Sequence, residues 1–141
     1  MTAIVVVGCS REPEPLPTSA TSEPDVDAQV RAAIAAQEAA IIGLYDAVIA
    51  AHPGLAGDLR PVRDEHAAHL DAMATPPAST PPTPAIGSRP QAVRALIDAE
   101  QQAVAQRTSA CEAATGADIA RLAALIAASE AGHAEFLRGL T

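Results

Sequence analysis

Four segments of this sequence repeat apolar residues every three or four positions, the spacing that places them on one face of an α-helix. Turn signals separate these segments: His52-Pro53-Gly54 follows the first, the stretch Thr75 to Ser88 follows the second, and Gly116 follows the third. The stretch from Thr75 to Ser88 contains five prolines, so it cannot be a helix or a central strand. The pattern predicts an all-α protein with two pairs of helices.

Capping residues set the limits of the four predicted helices. Asp25 and Asp118 place negative charge in the first turns of the first and fourth helices, and Ser88 is a favourable N-cap for the third. Pro61 fits a first helical turn, so we predict that the regular part of the second helix begins there. The predicted helices cover about residues 25–51, 57–74, 88–114 and 117–139.

Composition limits both the core and the partners of this chain. With 141 residues, one Phe, one Tyr and no Trp, a single domain must build its core from Ala, Val, Ile and Leu. Alanine favours helices that approach one another closely. Every basic residue is arginine and the net charge is −8, which argues against nucleic acid and anionic membrane surfaces as partners.

The N-terminal residues 1–9 form an apolar run that ends at Cys9 and is too short to span a bilayer. The sequence Val6-Val7-Gly8-Cys9 resembles the lipobox of bacterial lipoproteins, although no Lys or Arg precedes the run and the run is short for a signal core. The resemblance implies a signal-peptide remnant, lipidation of Cys9, and an exported protein whose lipid anchor holds it at the outer face of the bacterial cell membrane. We expect the true start to lie upstream. A ragged N-terminus without a targeting role is the alternative.

Residues 10–24 are rich in Pro, Ser, Thr and Glu, a composition that predicts a disordered tether between the anchor and a domain at 25–141. Cys9 and Cys111 are the two cysteines, so no disulfide framework is expected. With Cys9 lipidated, Cys111 on an apolar helical face is expected to be a small core residue. A Cys9–Cys111 disulfide is the alternative.

Carboxylates and imidazoles interrupt the inner face of every predicted helix. The inner faces are Ile34, Glu38, Ile41, Tyr45, Val48 and His52 in the first helix; Leu59, Val62, His66, His69 and Met73, with Glu65 beside them, in the second; Val93, Ile97, Glu100, Val104 and Cys111 in the third; and Ile119, Leu122, Ile126, Glu130, His133 and Phe136 or Leu137 in the fourth. Counted along the helix axes from Pro53 and Thr115, the acidic residues and histidines fall at nearly one depth. Burial of several ionised groups is unfavourable unless they are paired or bind a cation, so a metal site would stabilise them.

The chain from about residue 25 to 140 resembles the ferritin-like superfamily. Glu130-Ala-Gly-His133 matches the Glu-x-x-His motif of its fourth helix, and Glu38 and Glu100 match its lone glutamates. The second helix departs from the pattern, because Asp64 to His69 contains no Glu-x-x-His, although Glu65 and His69 share a helix face. The resemblance implies a four-helix bundle with a di-iron or di-manganese centre. Its implied ligands are Glu38, Glu65, His69, Glu100, Glu130 and His133, with Tyr45 and His66 beside the metals.

The segment Gln37 to Tyr45 is also similar to a ferritin-like domain family of unknown function found in bacterial lipoproteins. If two metals bind, the expected chemistry is oxidation of Fe(II) by oxygen or breakdown of peroxide. Whether the protein is an enzyme stays open. The sequence contains no nucleophile turn of a Ser-His-Asp site and no glycine-rich phosphate loop.

A metal-free structural or partner-binding lipoprotein is the main alternative, and it requires the inner carboxylates to pair with arginines. For Glu38 such a partner could be Arg63 or Arg94, while His52 would then serve as a helix-end residue and Tyr45 as core packing. A small-molecule carrier with a polar pocket is a third alternative. The sequence indicates no particular protein partner, allows a homodimer, and leaves open whether the 75–88 segment crosses the length of the bundle, because about 40 Å is within its reach.

Overall fold

Four helices make up the described part of the chain, which in the computed structural model comprises residues 25–77, 79, 82 and 85–141. The helices are α1 (Val26–Ala51), α2 (Ala56–Ala72), α3 (Arg89–Ala113) and α4 (Ala117–Arg138), and a 3₁₀ turn, Pro53–Leu55, precedes α2. The described ranges contain no strand. The predicted all-α four-helix bundle is confirmed. The predictions for residues 1–9, residues 10–24 and Cys9 lie outside the described residues.

Local hydrogen bonds explain where the helices begin. The side chain of Asp25 accepts the Ala28 N–H at 3.0 Å, and the N–H of Ser88 donates to Oε1 of Gln91 at 2.9 Å. In contrast, α2 begins at Ala56, so the prediction that its regular part begins at Pro61 was wrong. Pro61 removes one backbone hydrogen bond, and the buried residues Leu59 and Val62 on either side of it hold this turn against the core.

Contacts at the two ends of α1 fix the topology. The ring Nε2 of His52 lies 2.9 Å from the carbonyl oxygen of Gly87, just before α3, while Oδ1 of Asp27 accepts the N–H of Thr115 at 2.8 Å, just after α3. Helix α3 is therefore antiparallel to α1, and so is α2, which follows α1 through a short turn. Helices α2 and α3 are parallel, and the chain between them crosses the length of the bundle. This single long crossover is compatible with a ferritin-like fold.

The core consists of two apolar clusters with a layer of polar side chains between them. One cluster surrounds the α1–α2 turn and contains Ile41, Tyr45, Val48, Leu55, Leu59, Val62, Ala92, Val93, Leu96, Ala103 and Leu137. The other lies at the opposite end and contains Val30, Ile34, Ala35, Met73, Ile119, Ala123 and Ile126. Between them lie Glu38, His66, His69, Glu100, Arg107, Glu130 and His133, which we call the polar layer.

The buried face of α3 is rotated from its predicted position. Leu96 and Ala103 are buried, whereas Ile97, Val104 and Cys111, which we predicted to face the core, are half-buried. Helix α3 packs against both α1 and α4, so its buried face lies between these neighbours, where a small residue allows close approach. In α4, Leu137 takes the inner position at the C-terminal end.

Helix α1 is long and apolar enough to cross a membrane. The core helix of a soluble protein and a signal sequence near the N-terminus can have the same length and composition. Within this fold, α1 contributes Glu38 and Tyr45 to the interior, and both are completely buried. The membrane-like composition of α1 therefore has a second explanation, since its apolar residues form one side of the bundle core.

Candidate metal centre

Six ionisable side chains are buried at the middle of the bundle, and all four helices contribute to the set. They are Glu38 from α1, His66 from α2, Glu100 and Arg107 from α3, and Glu130 and His133 from α4. Because a buried charge is strongly unfavourable without a partner, the contacts of each group determine whether this layer is stable.

His66 lies between two carboxylates at the centre of the layer. Its Nδ1 is 2.8 Å from Oε2 of Glu38 and its Nε2 is 2.9 Å from Oε1 of Glu100. Burial would lower the pKa of His66, but its hydrogen bonds to the two carboxylates raise it to about 9. In the metal-free protein at neutral pH, His66 is therefore a cation that donates both ring N–H groups.

Glu100 receives hydrogen bonds from more than one direction. The hydroxyl of Tyr45 donates to Oε1 of Glu100 at 2.5 Å, the same oxygen that His66 approaches. Burial would raise the pKa of Glu100, but the imidazoles of His133 and His66 lower it to about 2. Burial and the adjacent carboxylate raise the pKa of Tyr45, so its phenol stays protonated and orients Glu100.

His133 also lies between two carboxylates. Its Nε2 is 2.9 Å from Oε2 of Glu65, which also accepts the hydroxyl of Ser129 at 3.2 Å. Its Nδ1 is 3.6 Å from Oε2 of Glu100, and neither of these two atoms has a hydrogen-bond partner in the described part of the chain. Burial opposes protonation, but Glu100 and Glu65 raise the pKa of His133.

Arg107 supplies a fixed positive charge on the other side of the layer. Its Nη2 is 2.9 Å from Oε1 of Glu38 and 3.2 Å from Oε1 of Glu130, and its Nη1 donates to Oε1 of Gln37. Burial would raise the pKa of Glu38, but His66 and Arg107 together lower it. Burial raises the pKa of Glu130 to about 7 despite the attraction of Arg107.

His69 lies at the edge of the layer and offers a free ring nitrogen. Its Nδ1 is 3.7 Å from Oε1 of Glu38, and within the described ranges it has no hydrogen-bond partner. Burial lowers the pKa of His69, so its imidazole is neutral at physiological pH. A neutral imidazole can donate a lone pair to a cation.

The structure distributes the predicted site residues unevenly. Glu38, Glu100, Glu130 and His133 are buried in the layer, and His69 lies half-buried beside them. Glu65, a predicted ligand, has a side chain 59% exposed and contacts the layer through His133. His66, which we placed beside the metals, is instead central to the layer. Tyr45, which we also placed beside the metals, donates a hydrogen bond to Glu100.

Arg107 is the buried residue that the sequence analysis missed. In the metal-free alternative we predicted Arg63 or Arg94 as the partner of Glu38. Arg63 instead pairs with Asp46 at 3.0 Å, and Glu38 pairs with Arg107. One signal was present, because Arg107 follows Glu100 by two helical turns and therefore lies on the same face.

Two groups of side chains have the geometry of a metal site. In each group, the ligand atoms lie within 4.8 Å of one another. The first group is His66, Glu100 and His133, and the second is Glu38, His66 and His69. The first group fits better. A metal in this group would bind Nε2 of His66 and Nδ1 of His133. The other ring nitrogens of these two histidines lie within hydrogen-bond distance of Glu38 and Glu65, respectively. Metal-bound histidines are usually held by a carboxylate in this way.

The two-metal centre implied by the resemblance fits only half of the layer. Imidazole and carboxylate donors around Glu100 suit iron, manganese or zinc. On the other half, the guanidinium of Arg107 lies against Glu38 and Glu130, and a guanidinium is always charged and has no lone pair to give a metal. The buried Glu and His groups can therefore hold one metal ion, and a second does not fit beside Arg107.

Comparison with family models, with curated proteins and with solved structures gave no match for this chain.

Proposed function

We propose that this bundle binds one divalent transition-metal ion, iron or manganese, through His66, Glu100 and His133. The observation that supports this most directly is the orientation of the two imidazoles. Each has one nitrogen next to Glu100 and the other bonded to a carboxylate outside the ligand group, Glu38 for His66 and Glu65 for His133. Metal-binding histidines are usually oriented by a carboxylate that accepts the N–H of the other ring nitrogen, and Glu38 and Glu65 are placed to do so.

The charges of the layer also favour one metal ion. Glu38, Glu100 and Glu130 bring three negative charges when all are ionised, and Arg107 balances one of them. A divalent ion balances the other two if His66 releases its extra proton on binding. The metal would thus replace a proton on Nε2 of His66, and binding should release protons to solvent.

The surrounding residues would hold and shield the ion. Tyr45 and the outer carboxylates fix the orientation of the ligands, and the two apolar clusters exclude water from above and below the layer. With iron bound, two imidazoles and a carboxylate leave coordination positions open for reaction with oxygen or peroxide. Small molecules would enter at the α2–α4 edge, where Glu65 and His69 are partly exposed.

A metal-free structural bundle is the second candidate, and Arg107 is the observation that favours it. This function requires the inner carboxylates to pair with arginine, and Arg107 does so with both Glu38 and Glu130. The His66 cation would supply the second positive charge. The layer would then be a buried ion network that fixes how the helices pair, a role known for some buried polar groups.

For its location, we propose an exported lipoprotein held at the outer face of the bacterial cell membrane by a lipid on Cys9. The support is the resemblance of Val6-Val7-Gly8-Cys9 to a lipobox. Expression of the natural precursor in its host with a labelled fatty acid tests this. Label on the wild-type protein and none on Cys9→Ser is expected, while an unlabelled wild-type protein in the soluble fraction would contradict it.

Metal content tests the proposed function. The full chain is purified without chelator, loaded anaerobically with Fe(II) or Mn(II), desalted, and analysed for metal per chain by mass spectrometry. We expect close to one ion per chain, and close to none for His66→Gln. His52→Gln is the matched control, because His52 bonds the Gly87 carbonyl at the end of α1, away from the layer. A folded wild-type protein that retains no iron, manganese or zinc would leave the structural candidate ahead.

A further inference from the structure

We propose that Arg107 is a built-in cation that takes the place of a second metal ion, so that removal of its guanidinium converts a one-metal layer into a two-metal layer. This inference rests on the proposed function, since it concerns the half of the polar layer that the first metal does not use.

The contacts of Arg107 define a second group of donors. Its Nη2 lies 2.9 Å from Oε1 of Glu38 and 3.2 Å from Oε1 of Glu130. The neutral imidazole of His69 is next to the same carboxylate, with Nδ1 3.7 Å from Oε1 of Glu38. Two carboxylates therefore flank a single guanidinium nitrogen, and one of them also lies next to an imidazole; carboxylate and imidazole are donors that suit iron or manganese.

The arginine balances charge here but leaves the donors without good hydrogen bonds. Both oxygens of Glu130, Nδ1 of His69 and Nε of Arg107 itself lack a hydrogen-bond partner among the residues that the structure describes. An arginine that serves as a structural ion-pair partner typically forms two parallel hydrogen bonds to one carboxylate. Arg107 instead directs one nitrogen between two carboxylates, as a small cation would lie.

Charge balance explains why the second ion and the guanidinium exclude each other. With Arg107 present, two divalent ions and the guanidinium would bring five positive charges against the four negative charges of the three buried carboxylates and Glu65, which leaves unbalanced positive charge in a site shielded from water. Without Arg107, two divalent ions face the three buried carboxylates and Glu65, which makes four negative charges. The layer can then accept a pair of ions.

Manganese loading of the full chain tests the inference. Wild type, Arg107→Ala and Arg107→Lys are loaded with Mn(II) alone and desalted, and the bound manganese is measured by mass spectrometry and by electron paramagnetic resonance. We expect one ion for wild type and Arg107→Lys, and a doubling to two for Arg107→Ala, with the spectrum of a coupled pair. Arg94→Ala, which removes an exposed arginine of α3, should stay at one.

The outcomes separate this inference from the proposed function. One ion in both wild type and Arg107→Ala would overturn the inference and leave the proposed function standing. No ion in wild type would overturn the proposed function, and the inference, which starts from a one-metal layer, would then also be overturned. If Arg107→Ala fails to fold without metal, it is refolded with excess Mn(II): a folded protein with two ions supports the inference, and a protein that folds in neither condition overturns it.

Discussion

The polar layer has two sides, and the positively charged group is of a different kind on each side. The histidine side contains His66, Glu100 and His133, and the arginine side contains Arg107 and Glu130, with Glu38 bonded to both His66 and Arg107. On the histidine side the cation is a proton, which a metal ion can displace. On the arginine side it is a guanidinium, which cannot lose its charge at any physiological pH.

A layer of buried carboxylates does not by itself define a metal site. Glu100 and Glu130 are equally buried, and each is the inner acidic residue of its helix. What separates them is the neighbouring base, since an imidazole can change from proton donor to metal ligand and a guanidinium cannot. The basic residues of the layer therefore decide how many metal ions it can hold.

The largest effect is expected where the two sides meet, at Glu38. Glu38→Gln removes the charge that partners both His66 and Arg107, so the metal-free protein should lose about 3–5 kcal/mol of unfolding free energy, as when a buried ion pair is broken. Urea denaturation monitored by circular dichroism measures this loss.

Asp46→Asn is the matched control for Glu38→Gln, because it breaks the exposed pair with Arg63. Its cost should not exceed about 1 kcal/mol. If Glu38→Gln costs no more than this control, Glu38 does not couple the two sides.

The pH dependence of the unfolding free energy tests whether His66 is the cation of the histidine side. The pKa of His66 is about 9 in the folded protein and near 6.5 when unfolded, so its contribution is complete below pH 6.5 and is lost as pH rises from 6.5 through 9. The metal-free protein should lose about 3 kcal/mol across this interval. Denaturation at pH values on either side of the interval measures it.

The variant His66→Gln should lose clearly less stability than wild type between pH 6.5 and 9, and a smaller decline should remain because the pKa values of His133 and Glu130 are also raised. The same decline in wild type and His66→Gln would mean that groups other than His66 account for it, and the assignment of the cation to His66 would be wrong.

Substitution of the glutamates on the two sides should change the metal affinity by different amounts. Glu100→Gln removes a proposed ligand and should weaken Mn(II) binding by about 100-fold or more, equal to roughly 3 kcal/mol. Glu130→Gln, on the arginine side, should leave the affinity nearly unchanged. Isothermal titration calorimetry of both variants provides the comparison, and equal losses would show that the metal does not prefer the histidine side.

The smallest effect is expected at the outer partner of His133. Glu65→Gln keeps a hydrogen-bond acceptor near His133 but removes the charge, and it should weaken Mn(II) binding by about tenfold. Asp64→Asn is the control, since Asp64 is the neighbouring exposed carboxylate and contacts Arg63 rather than the layer. A loss in Asp64→Asn as large as in Glu65→Gln would point to a general charge effect at the surface.

The helices could be predicted from the sequence because proline, glycine and capping residues separate four strongly periodic segments. The topology could not, since the 75–88 segment is long enough for either connection. Contacts between distant residues decide it, namely His52 with Gly87 and Asp27 with Thr115. Such contacts depend on how whole helices pack, which local patterns do not encode.

The position of the site along the helix axes could be predicted from the sequence, but the residues at its centre could be predicted only in part. Counting from the turns placed Glu38, Glu100 and Glu130 at one level, and all three are buried there. Arg107 was missed because an arginine on an apolar face is normally assigned to solvent, although it lies on the same face of α3 as Glu100. On α2, neighbouring residues differ by about 100° around the helix, so the centre of the layer received His66 and its edge received Glu65.

A crystal structure of the manganese-loaded wild-type protein, with anomalous scattering recorded at the manganese edge, would locate the proposed ion. We expect one anomalous peak per chain, at about 2.0–2.3 Å from Nε2 of His66, Nδ1 of His133 and a carboxylate oxygen of Glu100, with Arg107 still bonded to Glu38. An empty polar layer, or a peak between Glu38 and Glu130 with Arg107 displaced, would contradict this expectation.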